Sequence, residues 1–134
     1  MSEITLIPGD GIGPEITEAA RAVLEASGAP LTWDVQQAGQ AAYNAGGSPL
    51  PDATVESIRR NRVALKGPCA TQVGVGFRSI NVALRKEFEL YANVRPARAF
   101  AGVKCLFPNL DIVVVRENIE GLYTSMEHWI GERE

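Results

Sequence analysis

The opening of the chain does most to limit what it can fold into. A strand-like apolar run, Ile4-Thr5-Leu6-Ile7, breaks directly into Pro8-Gly9-Asp10-Gly11-Ile12-Gly13 and then Pro14. A buried strand ending in a glycine-rich turn reverses sharply, and proline suits the first turn of the helix that follows. Ile16, Ala19, Ala20, Val23 and Leu24 recur at the spacing of an amphipathic helix, with Gly28 as its C-terminal cap. Leu31 to Val35 alternates like a strand, Ala53 to Asn61 reads as a short helix, and Val63 to Leu65 as a further strand entering Gly67-Pro68. Gly74-Val75-Gly76 precedes a second amphipathic helix, predicted from about Ile80 to Leu90. Ala92 to Val94 is extended and is expected to stop at Pro96. Leu110 to Val115 is apolar and mostly β-branched, which predicts a strand buried on both faces. Strands alternating with helices imply an α/β architecture with a largely parallel sheet.

The length of 134 residues suits about one domain. With 46% apolar and 22% charged residues the chain is not a disordered tail. No stretch approaches the roughly 20 apolar residues of a membrane span. The first strand begins almost at Met1, so no signal or transit peptide is expected and the expected location is cytoplasmic. Cys69 and Cys105 match no zinc or redox spacing and are expected to be ordinary buried thiols. No Asp, Glu or His set has metal-ligand spacing, so no metal-binding residue is assigned. Only about eighteen residues follow the last strand, with no helix to cover it. A sheet of this kind carries helices on both faces, so the chain is expected to be the front part of something longer.

Charge is unevenly spread. One base stands against eight acids up to Ile58, eleven bases against three acids from Arg59 to Arg116, and one base against five acids beyond. The basic middle is either a solvated face or a site for a polyanion. The first glycine cluster reads G-x-G-x-G and lacks the dinucleotide fingerprint, so it is either a phosphate-approaching loop or simply a tight turn. The second half is more informative. Thr71 and Gln72 open a loop, Ser79 lies near a helix start, and Asn81 and Arg85 are four residues apart on one face of that helix. Free N–H groups and the positive dipole end of the helix favour an anion there. Arg95 follows a short extended run and Arg116 ends a strand, where a charge that cannot be neutralised needs an anionic partner. Three arginines with a serine and an asparagine at element ends point to a polycarboxylate or a phosphate. Tyr123, in a polar loop, is either an interface anchor or an acid, and His128 beside Glu127 reads as structural.

Four segments, in order, carry a resemblance that spans nearly the whole chain. They are Ile7-Pro8-Gly9-Asp10-Gly11-Ile12-Gly13-Pro14-Glu15, Leu65-Lys66-Gly67-Pro68, Leu84-Arg85 through Tyr91-Ala92-Asn93-Val94-Arg95-Pro96, and Val115-Arg116-Glu117-Asn118 through Gly121-Leu122-Tyr123. The chain resembles the N-terminal part of the β-decarboxylating dehydrogenases, the isocitrate, 3-isopropylmalate and homoisocitrate enzymes. The resemblance implies an isopropylmalate-dehydrogenase-like three-layer α/β/α fold, distinct from a Rossmann fold and incomplete in this chain. It implies that 1–98 form the first portion of the large cofactor-binding domain and 99–134 the start of the small substrate and dimerisation domain.

The stretch Ser79-Ile80-Asn81-Val82-Ala83-Leu84-Arg85 is similar to the isocitrate pattern within that family. By that resemblance Ser79, Asn81, Arg85, Arg95 and Arg116 bind isocitrate, with three arginines for three carboxylates. Thr71 would lie against the nicotinamide cofactor, NAD rather than NADP, and Tyr123 would protonate the enol carbon after carbon dioxide leaves. A Mg²⁺ or Mn²⁺ is implied, held mainly by family residues further along than this chain extends. A homo-oligomer is implied, and neither nucleic acid nor membrane is an expected partner. Ile119 stands where threonine is commoner in the family. The alternatives are a 3-isopropylmalate or homoisocitrate enzyme, or a regulatory subunit that binds isocitrate without turning it over.

Overall fold

The structure is a computed structural model describing residues 2–70, 79–121 and 124. The chain divides into two compact units, Met1–Ala83 and Leu84–Glu134. In the first, strands β1 (Ser2–Ile7), β2 (Leu31–Val35) and β3 (Ala64–Lys66) form one sheet in the order β2-β1-β3. Both pairings are parallel, with Ser2 opposite Leu31 and Thr5 opposite Ala64. Parallel neighbours need crossover connections. Helix α1 (Gly13–Ala26) links β1 to β2, and helices α2 (Gln40–Asn44) and α3 (Asp52–Asn61) link β2 to β3. Central strand β1 carries the core, with Leu6 and Ile7 buried.

The helices dock differently from the apolar stripes that predict them. On α1 the buried residues are Gly13 and Thr17, while Ile16 and Val23 are exposed. The contact is close there: the Thr17 hydroxyl donates to the Pro8 carbonyl at 3.2 Å, and a Cβ on Gly13 would come within 2.4 Å of the same carbonyl oxygen. Helix α3 docks through hydroxyls, with Thr54 and Ser57 buried. The donors there run in one direction. Ser57 Oγ donates to Asp34 Oδ2 at 2.6 Å, so its single proton is used. Thr5 Oγ1, 2.7 Å from Ser57 Oγ, must then be the donor to it, and Thr5 in turn accepts from Asn61 Nδ2 at 3.0 Å. The relay ends on Asp34, which also accepts from Gln36 Nε2 at 2.6 Å and pairs with Arg60. Each polar group is satisfied, so the network can sit inside the unit without the penalty of an orphaned donor.

A second polar knot joins the loops at the carboxyl ends of the three strands. Asp10 Oδ2 accepts the N–H groups of Gln40 at 3.0 Å and Ala70 at 2.9 Å, and Oδ1 accepts that of Ala41 at 3.1 Å. This carboxylate caps α2 from 30 residues away and secures the loop after β3. The five-residue α2 was not foreseen from the sequence, since it is too short to show an apolar period. Gly39, before it, lies at φ 84° and ψ −145°. A Cβ there would come within 2.3 Å of Asp10 Oδ2, so any other residue would be strained at this φ and would have to displace the carboxylate. Gly9 is held in the same way, with φ 82° and a would-be Cβ 2.1 Å from the Pro68 carbonyl oxygen.

In the second unit, β4 (Ala92–Arg98) and β5 (Asp111–Glu117) form an antiparallel pair after helix α4 (Ile80–Glu87), which straddles the division between the units. Three expectations are corrected here. Strand β4 runs through Pro96, which sits opposite Val113, as a strand with no described partner on its other edge can allow. Strand β5 is exposed from Asp111 to Val115 instead of buried on both faces, and its partner is antiparallel. Cys105 is exposed and Cys69 only half-buried. Phe100, Val103, Leu106 and Phe107, between β4 and β5, are exposed too. Among the described residues no second layer covers this ribbon.

Two outcomes follow for stability. The Asp34 carboxyl is held below its ordinary value, mainly by the Ser57 hydrogen bond, then by Gln36 and the Arg60 charge, against the effect of burial. A depressed folded-state value means its contribution is complete above the ordinary carboxylate range and disappears as pH falls through the folded value. Asp34→Asn therefore lowers the urea midpoint at neutral pH and converges with the parent in acid. Gly39→Ala places a side chain in a glycine-only conformation, costing about 1–3 kcal/mol before any displacement of Asp10; urea unfolding reads the loss directly.

Candidate functional site

The arginines of the second unit are arranged by strand register. Asn93 lies opposite Arg116, and Arg95 opposite Val114. Side chains alternate along a strand, so Asn93, Arg95 and Arg116 share one face of the β4–β5 ribbon. Such diagonal neighbours lie about 7–8 Å apart. Arg95 Nε donates to Asn93 Oδ1 at 2.8 Å, and the Arg116 guanidinium donates to Asn118 Oδ1 at 3.2 Å. Arg98 belongs to the other face and there sits 3.8 Å from Asp111. Two guanidinium groups on one face repel, and a carboxylate between them is held by charge and by two-pronged hydrogen bonds.

Helix α4 presents the other sequence-predicted residues. The Ser79 carbonyl accepts the Ala83 N–H at 3.0 Å, so Ser79 stands at the helix start. Asn81 and Arg85, both half-buried, follow one turn apart. Arg85 has no carboxylate within ion-pair distance among the described residues. Its carbonyl accepts the Leu90 N–H at 2.9 Å and so ties the helix end to the chain leading into β4. Ser79 and Asn81 fall in the first unit, and Arg85, Arg95 and Arg116 in the second. Thr71 and Tyr123 lie outside the described residues, as do Gln72, Arg78 and His128.

After β5 the chain is fixed by its own side chains. The Glu117 carboxylate accepts the N–H groups of Ile119 at 2.7 Å and Glu120 at 2.8 Å. Those backbone donors, Ile119 foremost, hold its carboxyl below the usual range. Asn118 is buried and donates from Nδ2 to the Leu90 carbonyl at 3.0 Å. In the first unit, burial pushes the Cys69 thiol up, although the Lys66 ammonium 3.7 Å away acts in the opposite direction. A raised thiol is a weak nucleophile, in keeping with an ordinary structural cysteine.

Two organising residues were not singled out from the sequence, Asp10 and Asn118. Both lie within the quoted motifs, yet nothing in a one-dimensional pattern says which backbone groups a short polar side chain will reach. Asp10 finds its partners 30 and 60 residues away, and Asn118 one of its own 28 residues away.

Comparison with known proteins extends this geometry. Residues 3–134 match the sequence profile described as isocitrate/isopropylmalate dehydrogenase. The chain is 55% identical over 128 residues to the isocitrate dehydrogenase [NADP] of Thermus thermophilus, covering 93% of this chain and 26% of that protein. It is 47% identical to a probable mitochondrial isocitrate dehydrogenase [NAD] subunit alpha of Drosophila melanogaster, covering 96% of this chain and 34% of that one. Among solved structures, the isocitrate dehydrogenase from Methylococcus capsulatus superposes with a TM-score of 0.89 at 56% identity, over all of this chain and 40% of that chain. This chain thus spans between about a quarter and two-fifths of the length of these relatives.

Proposed function

The chain belongs to the isocitrate/isopropylmalate dehydrogenase family, and we propose that it is the front part of an NAD-dependent isocitrate dehydrogenase. The fold is the α/β type of that family's solved structures. The reaction would be oxidative decarboxylation of isocitrate to 2-oxoglutarate and carbon dioxide. The observation that carries this reading is the pair Arg95 and Arg116 on one face of the β4–β5 ribbon, a surface built for a multiply charged carboxylate. Ser79, Asn81 and Arg85 on the helical segment before it would complete the grip, with Arg85 taking a further carboxylate. The full-length chain would assemble as a homo-oligomer, a dimer or higher. Residues 1–98 would belong to the large cofactor-binding domain and 99–134 to the start of the small one.

Within this reading Thr71 contacts the nicotinamide cofactor, and NAD is preferred to NADP. Among the described residues no cluster of three His, Cys, Asp or Glu side chains could hold a metal ion. In this reading the Mg²⁺ or Mn²⁺ would be held mainly by other residues of the full-length enzyme, and this segment's own tasks are to bind carboxylates and to deliver a proton. The proton comes from the Tyr123 hydroxyl, which protonates the carbon left by departing carbon dioxide.

The test uses the full-length enzyme that contains this segment. Turnover is measured with isocitrate, 3-isopropylmalate and homoisocitrate, each with NAD and with NADP. Isocitrate with NAD should give the highest kcat/KM; a preference for isopropylmalate overturns the substrate reading, and a preference for NADP overturns the cofactor reading. Two variants separate the residue roles. Tyr123→Phe should cut kcat by about 10²–10⁴-fold with little change in the isocitrate KM. Arg85→Ala should instead act mainly on the isocitrate KM, because a carboxylate loses a charged partner.

A further inference from the structure

We propose that Asn118 is a positioning residue for substrate binding, holding the Arg116 guanidinium in register with the segment that closes the Arg85-bearing helix. The inference rests on the reading of Arg116 as a carboxylate ligand and adds a residue that acts through it. Asn118 is 5% exposed. Its two amide atoms do different work. Oδ1 accepts from the Arg116 guanidinium at 3.2 Å, and Nδ2 donates to the Leu90 carbonyl at 3.0 Å. Leu90 in turn donates its N–H to the Arg85 carbonyl at 2.9 Å. Hydrogen bonds therefore link the head of Arg116, through one buried amide and the backbone of the single residue Leu90, to the carbonyl of Arg85.

The chemistry of the amide is specific to this task. The Leu90 carbonyl needs a donor and the guanidinium needs an acceptor, and among side chains of this length only asparagine offers both. Aspartate has the same shape but would set an oxygen against the Leu90 carbonyl. It would also add a negative charge beside Arg116, in competition with a substrate carboxylate. Asparagine orients the guanidinium without adding charge. The neighbouring Glu117 carboxylate is engaged by the N–H groups of Ile119 and Glu120, which fixes the turn that carries Asn118.

In the full-length enzyme, steady-state constants are measured for Asn118→Leu, Asn118→Asp, Arg116→Ala and the double variant Asn118→Leu/Arg116→Ala, with thermal unfolding alongside. Leucine matches asparagine closely in size but can make neither hydrogen bond. Both single Asn118 variants should raise the isocitrate KM about tenfold or more, the loss expected for a hydrogen bond to a charged group, and leave the KM for the nicotinamide cofactor within about twofold. The double variant should match Arg116→Ala, because a residue acting through Arg116 has nothing left to position. A residue that merely stabilises the fold would lower the unfolding temperature without separating the two KM values. Asn118→Leu with an unchanged isocitrate KM, or effects of Asn118→Leu and Arg116→Ala that multiply in the double variant, overturns the proposal. An Arg116→Ala variant with an unchanged isocitrate KM overturns the substrate reading first, and this proposal with it.

Discussion

The first unit depends on one carboxylate. Asp10, in the loop after β1, receives three backbone N–H groups, from Gln40 and Ala41 in the first turn of α2 and from Ala70 in the loop after β3. An ionised acceptor makes stronger hydrogen bonds than a neutral one, and three converging donors leave it little freedom to move. The glycines around it are a consequence of that convergence. Gly39 leaves room for the carboxylate and Gly9 for the Pro68 carbonyl, so the backbone can approach where side chains cannot. In open parallel sheets ligands bind outside the carboxyl ends of the strands. Here that edge is held together by the polar contacts of Asp10.

The second unit is organised by a different constraint. Its two strands are a ribbon with apolar side chains exposed, and an isolated two-stranded ribbon is marginally stable at best. What the ribbon does define is register. Antiparallel pairing of seven residues with seven puts Arg95 and Arg116 on the same face and sends Arg98 to the other, where Asp111 meets it. A one-residue slip would exchange the faces and undo the arrangement. The buried amide of Asn118 ties the end of β5 to Leu90 just before β4, a second tether at the same end of the ribbon.

Much of the fold was legible. Strand Leu31–Val35 falls where alternation placed it, and the helices beginning at Gly13, Asp52 and Ile80 lie within a residue or so of their predicted starts. The errors concern faces. Ile16 and Val23 complete an apolar stripe in the sequence, yet the helix buries Gly13 and Thr17 instead. Leu110 to Val115 has the composition of a doubly buried strand, but Asp111 to Val115 lie exposed along the ribbon. Periodicity reports that a face is apolar, and it carries no information about which layer that face meets. The arginines were legible as a set because their chemistry is unusual at strand and helix ends, whereas the neutral side chains that hold them look ordinary.

The sequence by itself determined the order of the elements other than α2, the glycine turn that sends β1 into a helix, and the family to which the chain belongs. Each of these rests on residues close together in the chain, where backbone propensity and short motifs act. Only the tertiary structure decided that β4 and β5 run antiparallel, that a hydroxyl relay from Asn61 to Asp34 docks α3, and that Asp10 closes on Ala70 sixty residues away. Those contacts form between segments whose meeting depends on the path of the whole chain. A short polar side chain carries the same donors and acceptors wherever it stands, and topology alone selects its partners.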